Sequence, residues 1–167
     1  METSMTDETA LVLKITRTFD APRTLVFDAW TNPESEVGWW GPKDFSKLMQ
    51  EIDLQVGGRH RLGMVSPKGE KHVSGGVYHE IVPPERLVMT EAWEDSRGMP
   101  GHETLVMINL VERNGKTEMT FEQTGFEDAA TRNSHREGWT EAFDALADAM
   151  AQSGGITNVE SGRRNNA

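Results

Sequence analysis

The 167-residue chain contains no cysteine, which excludes disulfides, thiolate nucleophiles, CxxC redox pairs and thiolate zinc sites together. Its stability must therefore come from packing. Basic residues are also scarce: 17 Lys and Arg stand against 27 Asp and Glu, a net charge of -10. Such a surface repels phosphate backbones and anionic bilayers, so neither nucleic acid nor a membrane is an expected partner. No apolar run approaches the ~18 residues of a membrane span, and Met1 to Ala10 lack the basic start and apolar core of a signal peptide, which makes the cytoplasm the expected location. The histidines His60, His72, His79, His102 and His135 never take the i,i+4 spacing of a zinc helix. Ser66, Ser74 and Ser134 lack a nucleophile elbow, and the pairs Gly57-Gly58 and Gly75-Gly76 lack the spacing that cradles phosphate. Neither a metal nor a cofactor is expected.

What the chain does have is enough length for one domain, which at this size buries roughly 70% of its unfolded surface. A single unit over residues 10 to 153 is expected, flanked by polar tails over 1–9 and 154–167. Leu11, Leu13 and Ile15 alternate with polar or smaller residues as a first strand, and Pro22 suits the first position of a short helix carrying Leu25, Val26, Ala29 and Trp30. Asn32-Pro33-Glu34 starts a second short helix, closed by Gly41-Pro42. From Phe45 to Gln123 the turn signals fall at strand spacing, the strongest being Asn114-Gly115, and six strands fit between them. Both glycine pairs read as turns or as bends in a curved sheet. A capping box, Ser134 with Glu137, precedes Trp139, Phe143, Leu146 and Met150 at helical spacing, a stripe widened by Ala142, Ala145 and Ala149. The order is that of an α+β helix-grip fold: a curved antiparallel sheet of about seven strands wrapped around one long C-terminal helix.

Four segments carry a more specific signal. Ala21-Pro22-Arg23-Thr24-Leu25-Val26-Phe27-Asp28-Ala29-Trp30 is followed by Trp39-Trp40-Gly41-Pro42, then Tyr78-His79-Glu80-Ile81-Val82-Pro83-Pro84, then Gly138-Trp139. In this order they resemble the Hsp90-ATPase-activator-like branch of the START-related helix-grip superfamily, from about Leu11 to Met150. The resemblance implies a cavity between sheet and helix. It also implies a choice of functions, since one fold hosts several chemistries.

The residues expected to line that cavity are Trp39 and Trp40 at the mouth, His60 and Met64 on the third strand, Tyr78 and Glu80 on the fourth, Trp93 and Met107 on the next two, Phe121 on the seventh, and Trp139 and Phe143 on the helix. On the fourth strand, parity sets Tyr78 and Glu80 on one face and Val77, His79 and Ile81 on the other unless a bulge intervenes. Tyr78 and Glu80 are taken as inward, with Glu80 a general base or polar anchor. The leading function is a stand-alone domain binding a small hydrophobic molecule. An enzyme of the polyketide cyclase or dehydratase type, using cavity acids and bases, is the second. Regulation of an Hsp90-type chaperone is the third, set back because eukaryotic activators carry a separate chaperone-binding domain for which this chain has no room. A homodimer and a chaperone complete the partners considered.

Overall fold

The computed structural model describes residues 11–33 and 44–166, with side chains as far as Ala151. The Trp39-Trp40 pair, nearly all of the second short helix and the N-terminal tail lie outside the described residues. The chain runs β1 (Leu13–Phe19), α1 (Arg23–Thr31), β2 (Ser46–Ile52), β3 (Arg59–Val65), β4 (Lys71–Val82), β5 (Arg86–Trp93), β6 (Thr104–Arg113), β7 (Lys116–Thr124) and α2 (Ala129–Asn166). All seven strands form one curved sheet in the order β1-β7-β6-β5-β4-β3-β2, and every pairing is antiparallel. This is the helix-grip architecture, and the β6–β7 hairpin turns at Asn114-Gly115, both at positive φ, as that dipeptide favours.

Local chemistry sets the helix starts. Pro22 is the extended N-cap of α1, one position before the first helical residue where the sequence suggested it. The first free N–H of α1, on Arg23, is met by Glu112 Oε1 of β6 at 2.8 Å, which satisfies an orphan donor and ties the helix to the sheet. α2 begins at Ala129, so the expected capping box at Ser134 and Glu137 lies inside it, on its exposed side. The cap is Asp128, whose Oδ1 accepts the Thr131 N–H at 2.7 Å. That bond and the neighbouring backbone N–H groups hold its carboxyl below the usual range. The backbone stays helical to Asn166, through the Gly154-Gly155 pair where the tail was expected to begin. No helix among the described residues is long and apolar enough to cross a membrane.

The core lies between the inner sheet face and α2. Val106, Ile108 and Leu110 of β6, Met119 and Phe121 of β7, and Phe143, Leu146 and Met150 of α2 are all but fully buried. Ala142 joins this stripe, whereas Ala145 is exposed, a hundred degrees per residue having carried it round to the wet face. Phe143 keeps none of its surface exposed and lies 5.3 Å, centroid to centroid, from Phe121. Phe143→Ala is expected to cost about 3–5 kcal/mol, and the exposed Ala145→Ser well under about 0.5 kcal/mol. Denaturant titrations check this; comparable losses for the two would mean that the sheet does not grip the helix along this stripe.

Candidate functional site

Between β3, β4 and β5 on one side and the first turns of α2 on the other lies a cavity of about 630 Å³, within the range that takes small organic ligands. Its walls are apolar: Trp30, Ile52, Met64, Met89, Trp139 and Ala142. One corner is polar, where Ser74, His60, Tyr78 and Glu91 meet.

Strand geometry builds that corner. His60 pairs with Gly76 across the β3–β4 ladder, and a Cβ at Gly76 would run into the Thr90 carbonyl. Only glycine lets β4 pass so close to β5. The Thr90 carbonyl accepts a hydrogen bond from His60 Nε2 at 2.8 Å, and the Thr90 hydroxyl accepts the Val77 N–H at 2.9 Å. Because a carbonyl only accepts, His60 Nε2 carries a proton, and in the neutral ring Nδ1 is left as an acceptor. The His60 and Tyr78 rings lie 5.2 Å apart. Burial, and then the nearby Glu91 carboxylate, push the Tyr78 hydroxyl pKa far up, so it remains a donor.

Glu91 is the group that the sequence reading missed. It sits part-buried on β5, lining the cavity. Burial raises its pKa above the ordinary carboxylate value, while the His60 charge and a hydrogen bond from Ser74 pull it partly back. Glu94, three residues on, shows the opposite behaviour. Its carboxylate takes a bidentate pair from Arg61 at 2.7 and 2.9 Å, and that bonding holds its pKa low.

Of the residues expected at the cavity, His60, Met64, Tyr78, Trp93 and Trp139 line it. Trp39 and Trp40 lie outside the described residues. Glu80 does not reach the cavity: it is exposed and pairs with Arg86 Nε at 3.0 Å. The reason is a bulge. Tyr78 pairs with Met89 but Glu80 with Val88, so His79 is an extra residue, the parity breaks, and Ile81 turns toward the core in place of Glu80. Met107 is also displaced from the expected set. It pairs with Val88 and Glu122 on the face opposite the fully buried Val106 and Ile108, as strict alternation requires. Phe121 and Phe143 are core residues behind the wall; they back Trp139 with centroids at 4.7 and 5.5 Å. The indole N–H of Trp139 is held by Gln123 Oε1 at 2.9 Å, and Gln123 Nε2 in turn donates to Thr104 Oγ1 at 2.8 Å.

The mouth is aromatic too. Trp93, 40% exposed, donates its indole N–H to His135 Nε2 of α2 at 3.2 Å, and His72 stands edge-on to Trp93 at 6.2 Å. Burial lowers the His135 pKa, in keeping with a ring nitrogen that must accept. Among the described residues no group of three or more His, Asp or Glu is placed to hold a metal ion.

A curved sheet closed by one long helix over an apolar cavity defines a helix-grip domain of the START-related kind. The family described as Activator of Hsp90 ATPase homolog 1-like protein matches residues 20–151, and the chain belongs to it. Its fold is shared with a Chromobacterium violaceum protein, 26% identical over 83% of this chain and 96% of that one, at a TM-score of 0.75. An Arthrobacter aurescens protein is 25% identical over 87% of this chain and 89% of that one, at 0.78. The AHSA1 protein of Silicibacter pomeroyi, 23% identical over 85% and 99% of the two chains, shares the fold at 0.77. No curated protein matches the chain.

The raised pKa of Glu91 has a sign that can be tested. A carboxyl whose folded pKa exceeds its unfolded value favours the fold at low pH and loses that contribution as pH rises through the folded pKa. Glu91→Gln is therefore expected to melt like the parent below the ordinary glutamate value of about pH 4.3. Above it, the variant becomes progressively more stable than the parent. Thermal melts across this range provide the check, and a gap that does not change with pH would show that Glu91 is solvated.

Proposed function

We propose that the protein binds a small, largely apolar molecule in the cavity between β3–β5 and α2, oriented by the polar corner of His60, Ser74, Tyr78 and Glu91. The observation that carries this reading is the 630 Å³ cavity with aromatic and methionine walls and a polar corner, the combination that ligand sites share. Membership of a helix-grip family supports it. N-phenyl-1-naphthylamine, a neutral fluorophore that brightens in apolar surroundings, tests it directly. Saturable binding at one site is expected, accompanied by quenching of the tryptophans that line the cavity. Ala142→Phe, which puts a ring into the space, is expected to weaken binding at least about tenfold, as loss of a few buried methylenes' worth of contact would. Glu80→Gln should leave it unchanged. Equal affinity for the parent and Ala142→Phe would place the dye elsewhere and remove the reading.

A second reading, acid–base catalysis, has one observation in its favour. The sequence set the proton-transfer role on Glu80, which faces solvent; Glu91 beside His60 and Tyr78 meets the same requirement inside the cavity. An enzyme acting through this corner would lose about 10²–10⁴-fold in rate in Glu91→Gln while still binding the naphthyl dye. A variant with undiminished turnover would end that reading.

A further inference from the structure

With Glu91 ionised, the polar corner of the cavity is richer in acceptors than in donors. His60 Nε2–H is committed to the Thr90 carbonyl, leaving Nδ1 as an acceptor in the neutral ring. Glu91 contributes a carboxyl, and the Ser74 hydroxyl is engaged with it. Among the described residues no lysine or arginine forms an ion pair with Glu91. Arg61, the one such residue on the cavity wall, directs its guanidinium to Glu94 and Glu51 instead. A single carboxyl thus stands without a lysine or arginine partner, His60 being its one basic neighbour, in a space lined by the rings of Trp30, Trp93, Trp139, Tyr78 and Phe45, and aromatic rings attract cations.

We infer that the ligand is an organic amine: an apolar, ring-sized body bearing a protonated nitrogen that pairs with Glu91 and donates to His60 Nδ1. This rests on the cavity-binding reading above and specifies its ligand class. An ammonium head supplies several N–H donors where the corner has acceptors. It also supplies a lasting positive charge beside a carboxyl whose one basic neighbour, His60, carries none while its Nδ1 accepts, so that the proton which burial favours on Glu91 is released as the amine enters. An anionic head gains nothing from an ionised Glu91, which repels it across a low-dielectric space. A neutral carbonyl is met by the Tyr78 hydroxyl and by the Glu91 O–H only while Glu91 keeps its proton, and it gains no charge-assisted bond. The net charge of -10 favours cations around the whole molecule, but that long-range attraction is screened by salt, whereas a pair inside the cavity is screened much less.

The test uses two nearly isosteric probes, 2-naphthylmethylamine and 2-naphthylmethanol, each displacing N-phenyl-1-naphthylamine from the intact chain at neutral pH in high salt. The amine is expected to bind about 10- to 100-fold more tightly than the alcohol, the ratio of a charge-assisted hydrogen bond to a neutral one. In Glu91→Gln, whose folding is checked by its thermal melt, the ratio of the two probes' affinities should collapse toward one. The comparison on the unaltered protein stands without the variant. If the alcohol equals or exceeds the amine, or if neither displaces a dye that itself binds, the amine assignment is overturned and the cavity reading survives. If the preference vanishes at high salt or persists in Glu91→Gln, it belongs to the acidic surface and the assignment again falls. Failure of the dye to bind overturns both.

Discussion

The seam between β7 and α2 governs what the cavity can be. Gln123 is fully buried, and a buried amide left unbonded would cost about 1–3 kcal/mol. Its carbonyl takes the Trp139 indole N–H and its amide nitrogen reaches Thr104 on β6, so one side chain fixes the helix against two strands. Trp139 is thereby locked in place, with Phe121 and Phe143 packed behind it. Ahead of this anchor α2 carries Thr131, Ser134, His135 and Gly138 along the cavity instead of into the core. Small and polar residues there leave space unfilled, whereas Phe143, Leu146 and Met150 beyond the anchor fill it. The cavity exists because packing stops at Trp139.

Much of this was legible in the sequence. The Asn114-Gly115 turn follows from its residue types and the helical stripe from Trp139 to Met150 from one periodicity, and each is found where expected. The failures arose where two local rules competed. At Ser134 the capping-box pattern is real, but Asp128 offers a carboxylate cap one element boundary earlier, and apolar residues were not needed to extend the helix back to it. On β4 a single extra residue, His79, inverted the expected side for Glu80 and Ile81, and no residue type announces a bulge of this kind. Met107 was expected on the cavity face, but strand parity gives that face to the buried Val106 and Ile108.

Glu91 could have been found. It is the one acid in the run Leu87-Val88-Met89-Thr90-Glu91-Ala92-Trp93, and it shares parity with Met89 and Trp93, both of which line the cavity. A lone charge on the apolar face of a buried strand is the pattern that marks a site. Glu94, with a different fate three residues later, makes the physical point: the bidentate Arg61 holds its pKa low, whereas burial outweighs the His60 charge and raises that of Glu91.

The close passage of β4 over β5 at Gly76 also bears on how such a protein can diversify. No side chain fits at that position without displacing the carbonyl that holds His60, so the His60 anchor can move only by rebuilding two strands at once. The walls are under no such restriction. Met64, Met89 and Ala142 face open space, and exchanging them for smaller or larger apolar residues alters the shape of the chamber at modest cost in packing. Descendants of this chain would therefore acquire new ligands by resizing the room while keeping the same chemical hook.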